Sequence, residues 1–144
     1  MIKALLALVA AALFAGAALY VSLVEHPTRL RLEPRAALAQ WKASYARAAP
    51  MQAGLAILSL ILGAWTWWKL GDAWLLAGAL LVGANLPLTL AIILPVTNRL
   101  KAQAADGGGE EIGALLGRWG RLHAIRTVLG LASVLAYLAA FVRP

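Results

Sequence analysis

The stretch "ALLALVAAALFAGAALYVSLV", residues 4–24, carries no charged side chain. As a helix, at about 1.5 Å per residue, it spans roughly 30 Å, the thickness of a bilayer's hydrocarbon core. Signal-peptide cores are shorter, about 7–15 residues. Ala15-Gly16-Ala17-Ala18 imitates a cleavage site, yet the run reads as a retained first transmembrane helix. Composition agrees. Hydrophobic types make up 62% of the 144 residues and charged types 13%, about half the charge of a soluble domain. A soluble chain of this size could not hide so much apolar surface in one core. The lipid bilayer is the expected solvent, and the length fits a single integral membrane domain, residues 1–144.

Three more apolar segments follow: about 51–68 ("MQAGLAILSLILGAWTWW"), 73–95 ("AWLLAGALLVGANLPLTLAIILP") and 122–142 ("LHAIRTVLGLASVLAYLAAFV"). They are rich in Leu and Ala, lack the alternation of barrel strands, and predict helices. The expected fold is all-α, an up-down bundle of four transmembrane helices. The short "KLGD" turn makes segments two and three a hairpin. The polar stretches 25–50 and 96–121 read as long loops, the first with a short interfacial helix from about Pro34 to Ala49. Trp41 and Tyr45, four apart, face the headgroup layer in this reading. "AADGGGEE" (104–111) reads as a flexible tip before a helix that starts with Glu110 and Glu111.

The net charge of +7 is distributed unevenly. Arg29, Arg31, Arg35, Lys42, Arg47, Arg99, Lys101, Arg118 and Arg121 lie in the long loops, against Lys3, Lys69 and Arg143 on the other side. This asymmetry predicts cytoplasmic loops and both termini outside, in a bacterial inner membrane. The basic residues lie between apolar runs and the aromatic and glycine patterns of RNA-binding modules are absent, so no nucleic-acid partner is expected. Trp65, Trp67, Trp68 and Trp74 form an outer aromatic belt. Small-residue helix faces make a homo-oligomer plausible. With no cysteine in the chain, disulfides, thiolate metal sites and cysteine nucleophiles are excluded.

This topology gathers polar groups at the cytoplasmic ends of the helices. Glu25 and His26 end segment one, Asn98 follows segment three, and Trp119, His123 and Arg126 surround the start of segment four. Along segment four, steps of three and four from Trp119 through Thr127, Gly130 and Ser133 to Tyr137 make one polar and small face. Asn85 lies near the bilayer midplane, before a kink at Pro87. An apolar-walled cavity from the cluster toward Asn85 is the expectation. Ionisable groups at a membrane edge mark either function or a compensating pair. Glu25 paired with Arg126 is the structural alternative, and Asn85 reads first as interhelical glue.

Two chemistries stay open. His26, His123 and Glu25 have the ligand types of a two-histidine, one-carboxylate site for non-haem iron, or they hold a copper ion. Adjacent helical residues point about 100° apart, so that set converges only if the helix frays at Pro27. The alternative needs no cofactor: a histidine takes a proton from an acidic carbon or phenol while Arg126 steadies the anion. Two histidines alone are a poor signature for a bis-histidine haem.

The order of four motifs resembles the DUF1772 family, also called anthrone oxygenase-like. They are "FAGAALYVSLVEHPTRL" (14–30), "WKASYARAAPMQAGLA" (41–56), "NRL" (98–100) and "LLGRWGRLHAIRTVLG" (115–130). The resemblance covers most of the chain. It implies oxidation of an activated ring carbon to a quinone with O₂, without a conventional cofactor, as some members do on anthrones. Carried over motif by motif, it implies Glu25 and His26, Asn98 and Arg99, and Trp119, His123 and Arg126. The expected site takes Glu25, His26, His123 and Arg126 as catalytic residues and places Trp119, Asn98, Asn85 and Tyr20 around a hydrophobic aromatic or quinone-like small molecule. Nothing in these motifs selects an anthrone. The competing expectation is a non-catalytic accessory or lipid-binding subunit.

Overall fold

A computed structural model describes residues 1–104 and 107–142. Arg143, counted above on the outer side, and Ala105 and Asp106 of the expected flexible tip lie outside the described residues. Among the described residues the chain forms four helices long and apolar enough to cross a membrane, and no strand. They are α1 (Ile2–Arg29), α2 (Pro34–Leu70), α3 (Ala73–Ala102) and α4 (Gly109–Val142).

The stretches read as long loops are mostly helix. The helix expected from Pro34 forms and continues without a break into α2, through Pro50. Its start is built locally: the Glu33 carboxylate accepts from the Arg35 amide at 3.2 Å, and Pro34 occupies the first turn, where no amide is needed. The Ala-rich sequence that follows is a strong helix former. At 37 residues α2 is about 55 Å long, so it extends well beyond a hydrocarbon core of roughly 30 Å. The connections shrink to residues 30–33, 71–72 and 103–108. At the middle one, Gly71 takes φ +72° to close α2, and the Asp72 side chain caps α3 through the Trp74 amide at 2.8 Å.

Two helices widen where a proline follows. α1 is a π-helix over Val21–Glu25, just before Pro27, and α3 is one over Thr89–Ile93, just before Pro95. A proline ring crowds the carbonyl four residues earlier, and a wider turn relieves that clash. α3 also carries a break at Ala84, upstream of Pro87.

The helices form a square ring, α1 packing on α2 and α4, and α3 on α2 and α4. Small residues let the backbones approach: Ala4, Ala7, Ala11, Ala15 and Ala18 form the buried stripe of α1. Hydroxyls tie the ring together. Ser59 donates to the Ala7 carbonyl at 2.9 Å, Thr127 to that of Ala18 at 3.1 Å, and Ser133 to that of Gly78 at 2.7 Å. Tyr137 is fully buried against Gly63 and Gly78, and its hydroxyl donates to the Ser59 carbonyl at 3.0 Å. The outer surface shows Leu13, Leu80, Leu90, Val128 and Leu135, as a lipid-facing surface requires. At the KLGD end, Lys3 and Lys69 both lie over the Trp65 ring, at 4.6 and 5.7 Å.

Candidate functional site

The polar cluster lies at the opposite end, between α1, α2 and α4. Counting about 20 residues along each helix from the Trp65 level reaches Tyr45 to Ala49 on α2, the Glu25 region of α1 and His123 on α4. The cluster therefore sits where the hydrocarbon gives way to the polar boundary, and the helical extensions cover it.

One half of the cluster is a closed network. The Glu25 carboxylate takes the buried Arg29 guanidinium at 2.5 Å, the Gln40 amide at 3.2 Å and the Ser44 hydroxyl. Arg29 also donates through Nε to the Gln40 carbonyl oxygen and through Nη1 to His26 Nδ1 at 3.1 Å. Arginine can only donate, so His26 Nδ1 is the acceptor and the ring proton is assigned to Nε2. That nitrogen is pressed against Gly120 and approaches the Leu116 backbone without good hydrogen-bond geometry. The expected Glu25–Arg126 pair does not form. Arg29, one helical turn after Glu25, takes the carboxylate by i,i+4 spacing.

The other half is open. His123 Nδ1 lies 3.2 Å from the Ser22 hydroxyl, which lies 2.8 Å from the Thr127 hydroxyl. We assign the Thr127 proton to the Ala18 carbonyl at 3.1 Å rather than to the His123 carbonyl at 3.4 Å; Ser22 then donates to Thr127, and the His123 ring proton is assigned to Nδ1, which donates to Ser22. In this assignment Nε2 is the unprotonated nitrogen, and no hydrogen bond to it forms among the described residues. His123 stacks on Trp119 at 4.9 Å, and His26 packs on the same indole at 5.4 Å. Trp41 meets Trp119 edge-on at 5.8 Å and stacks on Tyr45 at 5.0 Å. Trp41 is fully buried, so it faces this cluster and not the headgroup layer. Arg126, 7% exposed, lies over Phe14 at 5.5 Å; among the described residues it has no carboxylate partner and its Nε has no hydrogen bond.

Trp119, His123, Arg126, Arg29, Trp41 and Tyr45 line a narrow slot. Its free volume is about 20 Å³, room for roughly one water. Beside it a cleft of about 340 Å³ opens between α2 and α3, lined by Asn85, Thr89, Leu90 and Ala53 and sharing Tyr45, Ala49 and Arg126 with the slot. The expected cavity toward Asn85 is thus two voids with a partition.

Two expected site residues lie elsewhere. Tyr20 is 56% exposed on the outer face of α1. Asn98 is exposed on α3, while its neighbour Thr97 is the buried one. Nor does the expected metal set converge. Glu25 is committed to Arg29, Gln40 and Ser44, His26 Nδ1 to Arg29, and both imidazoles pack on Trp119. Among the described residues no group of three or more His, Asp or Glu side chains could hold a metal ion. The donor set therefore does not fit non-haem iron or copper. The residues that sequence reasoning placed elsewhere are Arg29, Trp41 and Tyr45, read as loop and headgroup residues. The four-residue spacings Glu25–Arg29 and Trp41–Tyr45 were the available signal.

No curated protein and no solved structure matches the chain. Residues 41–136 match the anthrone oxygenase family, a span that contains Trp41, Tyr45, Asn85, Trp119, His123 and Arg126. The chain belongs to the anthrone oxygenase family.

Proposed function

We propose that this protein is a membrane-embedded oxygenase that takes a proton from an activated ring carbon of a hydrophobic aromatic molecule and lets the resulting anion react with O₂. The observation that carries this reading is His123, tied through Nδ1 to Ser22 and lining the slot beside Arg126, whose Nε has no partner among the described residues. Nε2 accepts the proton from a ring CH₂ group, and the electron pair moves onto the ring oxygen. Arg126 faces that oxyanion and stabilises it. The electron-rich anion gives one electron to O₂, and the two radicals join to form the C–O bond. His123 returns its proton to the peroxide, and loss of water with the second C–H proton leaves a C=O group. The balance is R₂CH₂ + O₂ → R₂C=O + H₂O: carbon loses four electrons and the two oxygen atoms gain them. Trp119 is a positioning residue, which holds the His123 ring by stacking on it. Glu25 and His26 are positioning residues that hold Arg29. No step runs through a metal, because the donor set does not converge on one.

In this reading the basic end faces the cytoplasm of a bacterial cell and both termini lie outside, supported by the charge asymmetry of the helix ends. A second reading, a non-catalytic accessory or lipid-binding subunit, is favoured by one observation: the Glu25–Arg29–Gln40 network is closed and looks structural. Oxygen uptake by detergent-purified protein with 9-anthrone separates them. The oxygenase consumes one O₂ per anthrone, and His123→Ala slows it by about 100-fold or more, the usual contribution of a positioned base. Full turnover in His123→Ala sinks the oxygenase scheme; no uptake above the spontaneous rate in the wild type leaves the accessory reading.

A further inference from the structure

The slot above His123 is too small for any aromatic ring, and the cleft beside it is large enough for three fused rings. Both share Tyr45, Ala49 and Arg126. Ala49 offers only a methyl group, so the partition is the Tyr45 phenol and the Arg126 guanidinium. The cleft opens on the outer surface of the bundle beside the exposed Leu90, on the hydrocarbon side of His123.

The cleft wall is chemically unfinished. Asn85 is 1% exposed; its amide nitrogen donates to the Val82 carbonyl at 3.1 Å, which leaves Oδ1 without a partner. The Thr89 hydroxyl and Arg126 Nε are also buried and unpartnered. Unsatisfied polar atoms at this depth are costly, and a native chain keeps them when a ligand completes them. The backbone is loosened on both sides: Pro50 removes an amide from α2, and Thr89–Ile93 of α3 is the π segment.

We propose that the ligand reaches the site from within the bilayer, through the α2–α3 cleft, where Asn85 reads it, and that it meets His123 by displacing Tyr45 and Arg126. The ligand class is a flat, lipid-soluble molecule with a hydrogen-bond donor for Asn85 Oδ1 and, at its other end, an oxygen for Arg126. Tyr45 stacked on Trp41 is the closed position of the gate. The proposal rests on the oxygenase reading only for what His123 does afterwards; binding in the cleft stands apart from it.

The test uses the full chain in nanodiscs, with 2-hydroxyanthraquinone and anthraquinone as probes and quenching of tryptophan fluorescence as the readout. The wild type should bind both saturably. Asn85→Leu should weaken the hydroxylated probe about tenfold and leave anthraquinone unchanged. Leu90→Cys, at the mouth of the cleft in a chain without native cysteine, is compared with itself before and after labelling: a bulky maleimide on that exposed thiol should slow the association of both probes. Because Leu90 faces outward, this variant folds even if a cleft-filling one does not. Equal binding of the hydroxylated probe by wild type and Asn85→Leu, or unchanged association after Leu90→Cys labelling, overturns the bilayer route whatever His123→Ala does to oxygen uptake. Normal cleft behaviour with fully active His123→Ala would leave the route standing and remove the chemistry assigned to His123.

Discussion

Ser22 on α1 and His123 on α4, 101 residues apart in the chain, meet at 3.2 Å, and the Thr127 hydroxyl completes the line to a backbone carbonyl of α1. Each hydroxyl has one proton, so with the Thr127 proton on the Ala18 carbonyl this line holds His123 in the Nδ1–H tautomer. Ser22→Ala or Thr127→Val should therefore let His123 take its other tautomer. The expected outcome is a roughly 10-fold or larger fall in kcat with little change in KM, since only the base is affected. Nitrogen shifts of labelled histidine should move the His123 Nδ1 signal from protonated to bare; an unmoved signal in either variant would refute the relay.

Arg29 and Arg126 look alike in sequence and should behave oppositely. Arg29 is bound to a carboxylate and two amide and imidazole acceptors, so Arg29→Ala strands a half-buried Glu25 and should cost roughly 3–5 kcal/mol. Arg126 has no carboxylate, so Arg126→Met should leave thermal stability in detergent unchanged or higher while oxygen uptake falls by at least tenfold. Similar melting temperatures for the two variants would contradict this division.

Gly120 exists for His26. A β-carbon there would collide with the His26 ring, so Gly120→Ala should destabilise the protein by about 1–3 kcal/mol. The double variant with His26→Ala should recover part of that loss, because the colliding ring is gone. Chemical denaturation of all four forms of this cycle measures the recovery, and strictly additive losses would rule out the contact.

At the other end of the bundle, Tyr137 fills the space that Gly63 and Gly78 leave. A β-carbon on Gly78 would lie 2.8 Å from the Tyr137 ring, so Gly78→Ala should shift the melting point far more than Tyr137→Phe. The latter gives up one interhelical hydrogen bond, worth about 0.6–1.7 kcal/mol in a membrane bundle. Neither change touches the slot, so the turnover per folded molecule should remain that of the wild type.

Orientation is checked by fusing green fluorescent protein or alkaline phosphatase after the last residue. With both termini outside, the phosphatase fusion is active and the fluorescent one dark; the reverse pattern inverts the assigned topology.

The number of crossings, the helical class and the clustering of Glu25, His26, Trp119, His123 and Arg126 near one end were legible in the sequence. Apolar runs of bilayer length admit only helices here, and an odd or even count of crossings decides which segment ends lie together. Helix length was not legible, because the Ala-rich stretch from Pro34 reads equally as a surface helix or as a continuation of α2. Only tertiary packing chose the continuation, by burying Trp41 against Trp119. Side-chain partners were undecidable from spacing for the same reason: a residue's level along a helix follows from its number, but its direction depends on how the neighbouring helices are rotated. That rotation gave Glu25 to Arg29, turned Tyr20 and Asn98 outward, and set His123 and Arg126 in the lining of the slot.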